Sequence, residues 1–209
     1  MRAAWYTRGG PAADVLVVGE QPEPIPGPGE VRVRLAHSGI NPGDTKKRGD
    51  WQGSGLPFPL VIPHSDGSGV VDAVGEGVPA DRVGRRVWVW GAQSYRAFGT
   101  AAEFVCVPTD HAVDLLDAAP LEVGACLGIP GITAHRCVFA DGSVRGATVL
   151  VHGVLGGVGR LAALLARRDG ARVIGSVRSD ADVDAAAGVA PPSVVVIGDV
   201  AALAFSPDA

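Results

Sequence analysis

No stretch of this 209-residue chain is long and apolar enough to span a bilayer. The start, Met1-Arg2-Ala3-Ala4-Trp5-Tyr6, lacks the apolar core of a secretory leader, so a cytoplasmic protein is expected. Cysteine is scarce. Cys106, Cys126 and Cys137 are odd in number, widely spaced and form no Cys-x-x-Cys, which points to small core thiols in a reducing compartment rather than a disulfide framework. Strong charge of either sign is also absent. Eighteen Lys and Arg against 22 Asp and Glu leave a net charge of -4, too weak and too mixed for a nucleic-acid or anionic-membrane surface. No internal repeat is present. The 47% hydrophobic and 19% charged composition fits a globular protein with core enough for one large domain or two small ones.

Glycine and proline are plentiful, 30 and 16, and they cluster in the first 100 residues. Residues 1–122 read as β-rich. Met1–Tyr6 and Val15–Val18 can pair as a hairpin around Gly9-Gly10-Pro11. The proline-rich stretch 21–30 lacks donors and serves as an extended connection into Val31-Arg32-Val33-Arg34-Leu35, whose alternation predicts a half-buried strand. Further strands are expected near Val70–Val74, Val87–Trp90 and Ala102–Val107. Many short strands with Gly/Pro turns predict a small, partly closed barrel. Residues 123–209 change texture. Leu121–Leu127 and Thr133–Val138 read as helical, with Pro130 interrupting them. A strand–helix–strand–helix–strand series then runs through Thr148–His152, the helix opened by Gly156–Gly159, Ala171–Val177, Asp182–Ala187 and Ser193–Ile197, half of a doubly wound parallel sheet.

The organising stretch is Thr148–Gly159. An apolar strand enters Gly153-Val154-Leu155-Gly156-Gly157-Val158-Gly159, and the glycines open a helix with Val158, Leu161 and Leu165 on one face. Such a turn brings backbone N–H groups to a dinucleotide pyrophosphate at a helix N-terminus. A ligand-free buried turn is the alternative. An NAD site usually ends its second strand with an acid for the ribose 2′-hydroxyl. Here Val177-Arg178-Ser179 carries no acid until Asp180. Ser176, Arg178 and Ser179 are candidate donors to a 2′-phosphate, which favours NADPH. Arg178 as a solvated loop residue stays open, and Asp182 weighs against the phosphate.

Six ordered motifs now resemble a known family. They are Ser38-Gly39-Ile40-Asn41-Pro42-Gly43-Asp44-Thr45, Ile62–Val71, Val74-Gly75-Glu76-Gly77-Val78, Gly84-Arg85-Arg86-Val87, Gly131-Ile132-Thr133-Ala134-His135 and Val149–Gly159. Together the chain resembles the zinc-free quinone oxidoreductase (zeta-crystallin-like) branch of the medium-chain dehydrogenase/reductases. The resemblance implies an α/β protein: a GroES-like, partly closed β-barrel over 1–122, then a Rossmann domain over 123–209, with the active site in the cleft between them. It implies hydride transfer from NADPH to a quinone or α,β-unsaturated carbonyl without metal, and it leaves a homodimer open. It places Asn41 near the nicotinamide, although Asn41 also reads as a turn residue before Pro42. Thr133 falls by resemblance beside the nicotinamide ribose, or is a helix N-cap. His64 is a candidate proton donor, and Trp51 an aromatic wall or an ordinary surface residue. Where zinc-dependent relatives have a Cys and a His, this chain has Asn41 and Ser65, so a zinc alcohol dehydrogenase is disfavoured; His64 with Asp66 is too small a ligand set. Val154, where the family has a small Ala, is expected to tighten the approach to the pyrophosphate.

The resemblance further implies a Rossmann sheet of six strands, of which three can be placed, and the chain departs from the family at Pro191-Pro192, just ahead of the third. The Rossmann domain is therefore expected to be incomplete. The first strand, central and buried in such a sheet, would then have an open edge. An inactive, truncated nucleotide-binding fragment is the alternative this raises.

Overall fold

The computed structural model describes residues 1–189 and the backbone of the strand Val194–Ile197. Two compact units divide the chain, Met1–Ile129 and Pro130–Ala209. The Pro191-Pro192 pair and the residues after Ile197 lie outside the described residues.

In the first unit, β1 (Arg2–Trp5) is followed by a single helical turn, α1 (Ala12–Val15), and pairs antiparallel with β2 (Val17–Glu20), Trp5 opposite Val17. The hairpin therefore exists, but its second strand starts at Val17, because Pro11 opens a helical turn over the residues before it. Next come β3 (Glu30–Gly39), α2 (Pro42–Arg48), β4 (Asp66–Val74), β5 (Arg86–Val89), β6 (Phe104–Pro108), β7 (Ala112–Asp114) and the short α3 (Leu121–Gly124). Strands β6-β3-β4-β5-β7 form one antiparallel sheet. Register shifts after Arg32 and after Leu35 bend β3, and the sheet curls into the partly closed barrel that the turn-rich pattern predicts. Alternation decides what the curl encloses. Val31 and Val33 point inward with Val71, Val87, Val89, Val105 and Val107, all essentially without solvent contact. Each such valine contributes about 1.5–2 kcal/mol of apolar burial. On the opposite face Arg32 makes a bidentate pair with Asp72, both contacts 3.0 Å, and lies over the Phe104 ring.

The second unit is entered through α4 (Ile129–Phe139), followed by β8 (Thr148–Val151), α5 (Gly157–Asp169), β9 (Arg172–Val177), α6 (Val183–Val189) and β10 (Val194–Ile197). Pro130 does not interrupt α4 but sits in its first turn, where a missing N–H leaves no intrahelical bond unmade. The described strands pair in parallel in the order β10-β9-β8. Ala162, Ala163 and Ala166 of α5 press onto Val173 and Val177, and their small side chains let helix and sheet approach closely. Among the described residues β9 is the central strand and β8 an edge, with Leu150 46% exposed rather than buried on both faces. Among these residues no helix is long and apolar enough to cross a membrane.

Candidate functional site

In the first unit the polar residues converge at the ends of β3 and β4 and the start of α2. Asn41 is the N-cap of α2, Pro42 takes the first helical position, and the Asp44 carboxylate reaches back to accept the Asn41 N–H at 2.7 Å. This half of a capping box fixes the backbone of Asn41 and turns its side chain toward β4. There Asn41 Nδ2 donates to Asp66 Oδ2 at 2.8 Å, and the Ile129 N–H donates to the same oxygen at 2.8 Å. Asn41 is 6% exposed and Asp66 not at all. Gly128 lies so close over the carboxylate that a Cβ there would stand 2.1 Å from Asp66 Oδ1, which has no hydrogen-bond partner among the described residues. Burial pushes the Asp66 carboxyl up to about 6, against the Ile129 N–H, the Asn41 amide and Lys47, which favour its ionised form; Asp44 adds to the rise.

His64 precedes β4 with a left-handed backbone, φ +75, unusual outside glycine. Its Nδ1 lies 2.8 Å from Ser38 Oγ, which lies 2.9 Å from Thr100 Oγ1, which in turn donates to the Asp66 carbonyl. Burial lowers the His64 pKa. Beside α2 a cavity of about 550 Å³ is lined by Lys47, Trp51, Phe58 and Tyr95 among others. Trp51 is 65% exposed and Lys46 lies over its ring, so it is a surface aromatic rather than a core one.

In the second unit the glycine turn joins β8 to the N-terminus of α5. Gly153 takes a left-handed φ of +67, and the helix starts at Gly157 with no side chain capping its first N–H groups. A Cβ on Gly159 would stand 2.4 Å from the Gly153 carbonyl oxygen, so only glycine lets the first turn of α5 close onto the loop. A Cβ on Gly157 meets nothing within 4 Å: the space above the turn is open. Gly153, Leu155, Gly156, Ser176, Val177, Arg178 and Asp182 surround a cavity of about 390 Å³. Gly157, Val158, Gly159 and Ser179 are not part of that lining. Val158 packs against the core instead, and Gly159 abuts Gly153.

Two expectations about this loop need correction. Val154 does not narrow the approach; it is 1% exposed and packs inward against Gly175. Ser176 does not offer its hydroxyl outward. It is 1% exposed, its Oγ accepts the Gly153 N–H at 3.1 Å, and it lies 2.7 Å from His152 Nδ1. Both its bonds tie the end of β9 to the turn. Arg178 is exposed at the cavity and joins no ion pair among the described residues. Ser179 donates to Asp182 Oδ2 at 3.0 Å. Thr133 is an exposed residue inside α4, past the position of an N-cap.

Sequence reasoning missed α2 and the partnership of Asn41 with Asp66. The first had a signal, an N-cap type at Asn41, Pro42 at the first helical position and Asp44 three residues on. The second had none, because it depends on β3 and β4 bringing residues 25 apart to one point.

Residues 27–117 match the alcohol dehydrogenase GroES-like domain. The chain is 34% identical over 158 residues to quinone oxidoreductase of Mus musculus, covering 75% of this chain and 46% of that protein. It is 39% identical over 145 residues to the synaptic vesicle membrane protein VAT-1 homolog of Rattus norvegicus, covering 69% of this chain and 34% of the relative. It thus spans less than half the length of these curated relatives. A mycobacterial protein solved in complex with NADPH superposes with a TM-score of 0.77 at 32% identity, over 94% of this chain and 58% of that one.

Proposed function

Because the chain belongs to the medium-chain dehydrogenase/reductase superfamily, in its quinone oxidoreductase branch, we propose that it binds NADPH and serves hydride transfer to a quinone or an α,β-unsaturated carbonyl without a metal. The observation that carries the reading is the Gly153–Gly159 turn, whose open space above Gly157 and uncapped α5 N-terminus suit a dinucleotide pyrophosphate, with Arg178 at the end of β9. The fit extends to the choice of dinucleotide. A guanidinium facing the same cavity as the turn attracts a 2′-phosphate, while Asp182, which lines that cavity and accepts the Ser179 hydroxyl, opposes it. When bound, NADPH supplies the hydride.

This chain's own residues would bind, orient and stabilise. Backbone N–H groups at the start of α5 hold the pyrophosphate, and Arg178 the 2′-phosphate. Asn41 has one amide proton on Asp66 and a second left to steady an oxygen that gains negative charge. His64 handles a proton at its ring, and the Trp51 cavity gives a planar acceptor an aromatic edge. Thr133 adds a hydroxyl for the nicotinamide ribose.

Calorimetric titration with NADPH and NADH, alongside a quinone turnover assay with and without chelator, tests the proposal. Preference for NADPH and chelator-insensitive turnover are expected; equal affinity for the two nucleotides, or chelator-sensitive alcohol oxidation, would overturn it. One observation favours a second reading, nucleotide binding without turnover. The β8 strand lies at the edge of the described sheet with Leu150 exposed, an open edge with apolar surface on it. Binding without turnover would select it.

A further inference from the structure

The contacts from His64 to Asp66 contain more information than their distances, because protons in such a chain have to be shared out. The carbonyl oxygen of Asp66 can only accept, so the single hydroxyl proton of Thr100 points to it. Thr100 Oγ1 then has no proton for Ser38, and the 2.9 Å contact between the two hydroxyls is a bond only if Ser38 donates. With its own proton so placed, Ser38 Oγ can meet His64 Nδ1 at 2.8 Å only as an acceptor. The ring nitrogen is left as the donor.

We propose that Ser38 and Thr100 are positioning residues that hold neutral His64 in its Nδ1–H tautomer, leaving Nε2 as the ring atom that takes up and releases protons. The chain is an anchor and not a proton wire: it ends on a backbone carbonyl, which has no proton to pass on. The left-handed backbone of His64 belongs to the same arrangement, since it sets the imidazole against the end of β3. Burial lowers the pKa of His64, with Asp44 of α2 opposing and Arg48 of α2 reinforcing, so the neutral ring is the state whose tautomer matters. In catalysis Nε2 would accept a proton from solvent and pass it to the acceptor once hydride has arrived there, Nδ1 keeping its proton throughout. That use rests on the reductase reading above; the tautomer does not.

Long-range proton–nitrogen correlation spectra of the histidine-labelled 209-residue chain read each imidazole's tautomer directly. Five histidines give five ring systems, and His64→Asn, which keeps a residue tolerant of positive φ, identifies the one concerned. The wild type is expected to show protonated Nδ1 and unprotonated Nε2 at His64. In Thr100→Val the Ser38 hydroxyl loses its acceptor and turns to donate to Nδ1, so the majority form changes to Nε2–H. Ser38→Ala lies at an exposed position that folding tolerates, and it is expected to lose the Nδ1–H majority for want of an acceptor. A wild type with protonated Nε2, or a His64 signal unchanged in both variants, would overturn the proposal. If the tautomer behaves as expected while His64→Asn leaves quinone reduction intact, the catalytic use falls and the positioning role stands.

Discussion

Two neighbouring glycines of the Gly153–Gly159 turn are predicted to answer the same substitution in opposite ways. At Gly157, in the first turn of α5, an added Cβ meets nothing within 4 Å. Alanine there removes unfolded-state freedom at no steric cost and is expected to stabilise by roughly 0.4–1 kcal/mol. In a unit of this size that raises the midpoint of thermal unfolding by about 2–8 °C. At Gly159 the Cβ would stand 2.4 Å from Gly153 O, 3.0 Å from its carbonyl carbon and 3.3 Å from Val154 Cα. All three are backbone atoms that no rotamer change can move, so the loop must shift by about an ångström. A cost of roughly 1–3 kcal/mol follows, of the kind seen for overpacking. The two variants also separate stability from binding. The methyl of Gly157→Ala projects into the space where the pyrophosphate is proposed to lie, so NADPH affinity should fall about tenfold or more, roughly 1.4 kcal/mol, in a more stable protein. Thermal unfolding of the free chain and calorimetric titration with NADPH make the comparison. A stabilised Gly157→Ala variant with undiminished affinity would place the pyrophosphate elsewhere, and a neutral Gly159→Ala would refute the packing argument.

Local chemistry and tertiary chemistry differed in how far they could be read from the sequence. The strand–glycine–helix unit at Thr148–Asp169 was legible because everything that makes it is contiguous: an apolar run, a glycine cluster and an apolar helical stripe. The valine alternation of β3 was legible for the same reason, since period two and one buried face leave little choice. Pro130 was misread because a proline breaks a helix or begins one according to where the helix starts, and nothing local marks Ile129 as the start. Ser176 shows a deeper limit. Its place at the end of the second strand suggests a ligand donor, yet the inward side of β9 there meets the Gly153 N–H and His152, a contact across 23 and 24 residues. Asp66 likewise reads as one acid among 22, and becomes unusual only when Asn41, Gly128 and Ile129 close over it.

Arg178→Ala is expected to weaken NADPH binding about 10- to 100-fold, roughly 1.4–3 kcal/mol for lost charge-assisted bonds, and to leave NADH unchanged. Asp182→Asn should strengthen NADPH binding a few-fold; parallel titrations of both nucleotides read either change, and an equal loss for both in Arg178→Ala would count against a 2′-phosphate contact. Ser176→Ala takes the acceptor from the partly buried Gly153 N–H and should destabilise the second unit by about 0.5–1.5 kcal/mol, lowering affinity for both nucleotides alike. A loss confined to NADPH would instead restore Ser176 as a phosphate ligand. The last prediction concerns pH. The folded Asp66 carboxyl titrates at about 6 against an ordinary 3.8, chiefly because it is buried. A folded pKa above the unfolded one contributes stability that is complete below the unfolded value and disappears as pH rises through the folded value, an effect here of about 3 kcal/mol. Asp66→Asn has no such proton to lose, and its single amide oxygen can accept from both Asn41 and Ile129. Denaturant unfolding of the two proteins from about pH 4 to pH 7 should therefore show the wild type losing ground to Asp66→Asn by about 2.5 kcal/mol, most of the full effect, as the acid ionises. A constant difference across that range would mean that Asp66 ionises as easily in the folded protein as in water, and that its closure under Gly128 carries no electrostatic cost.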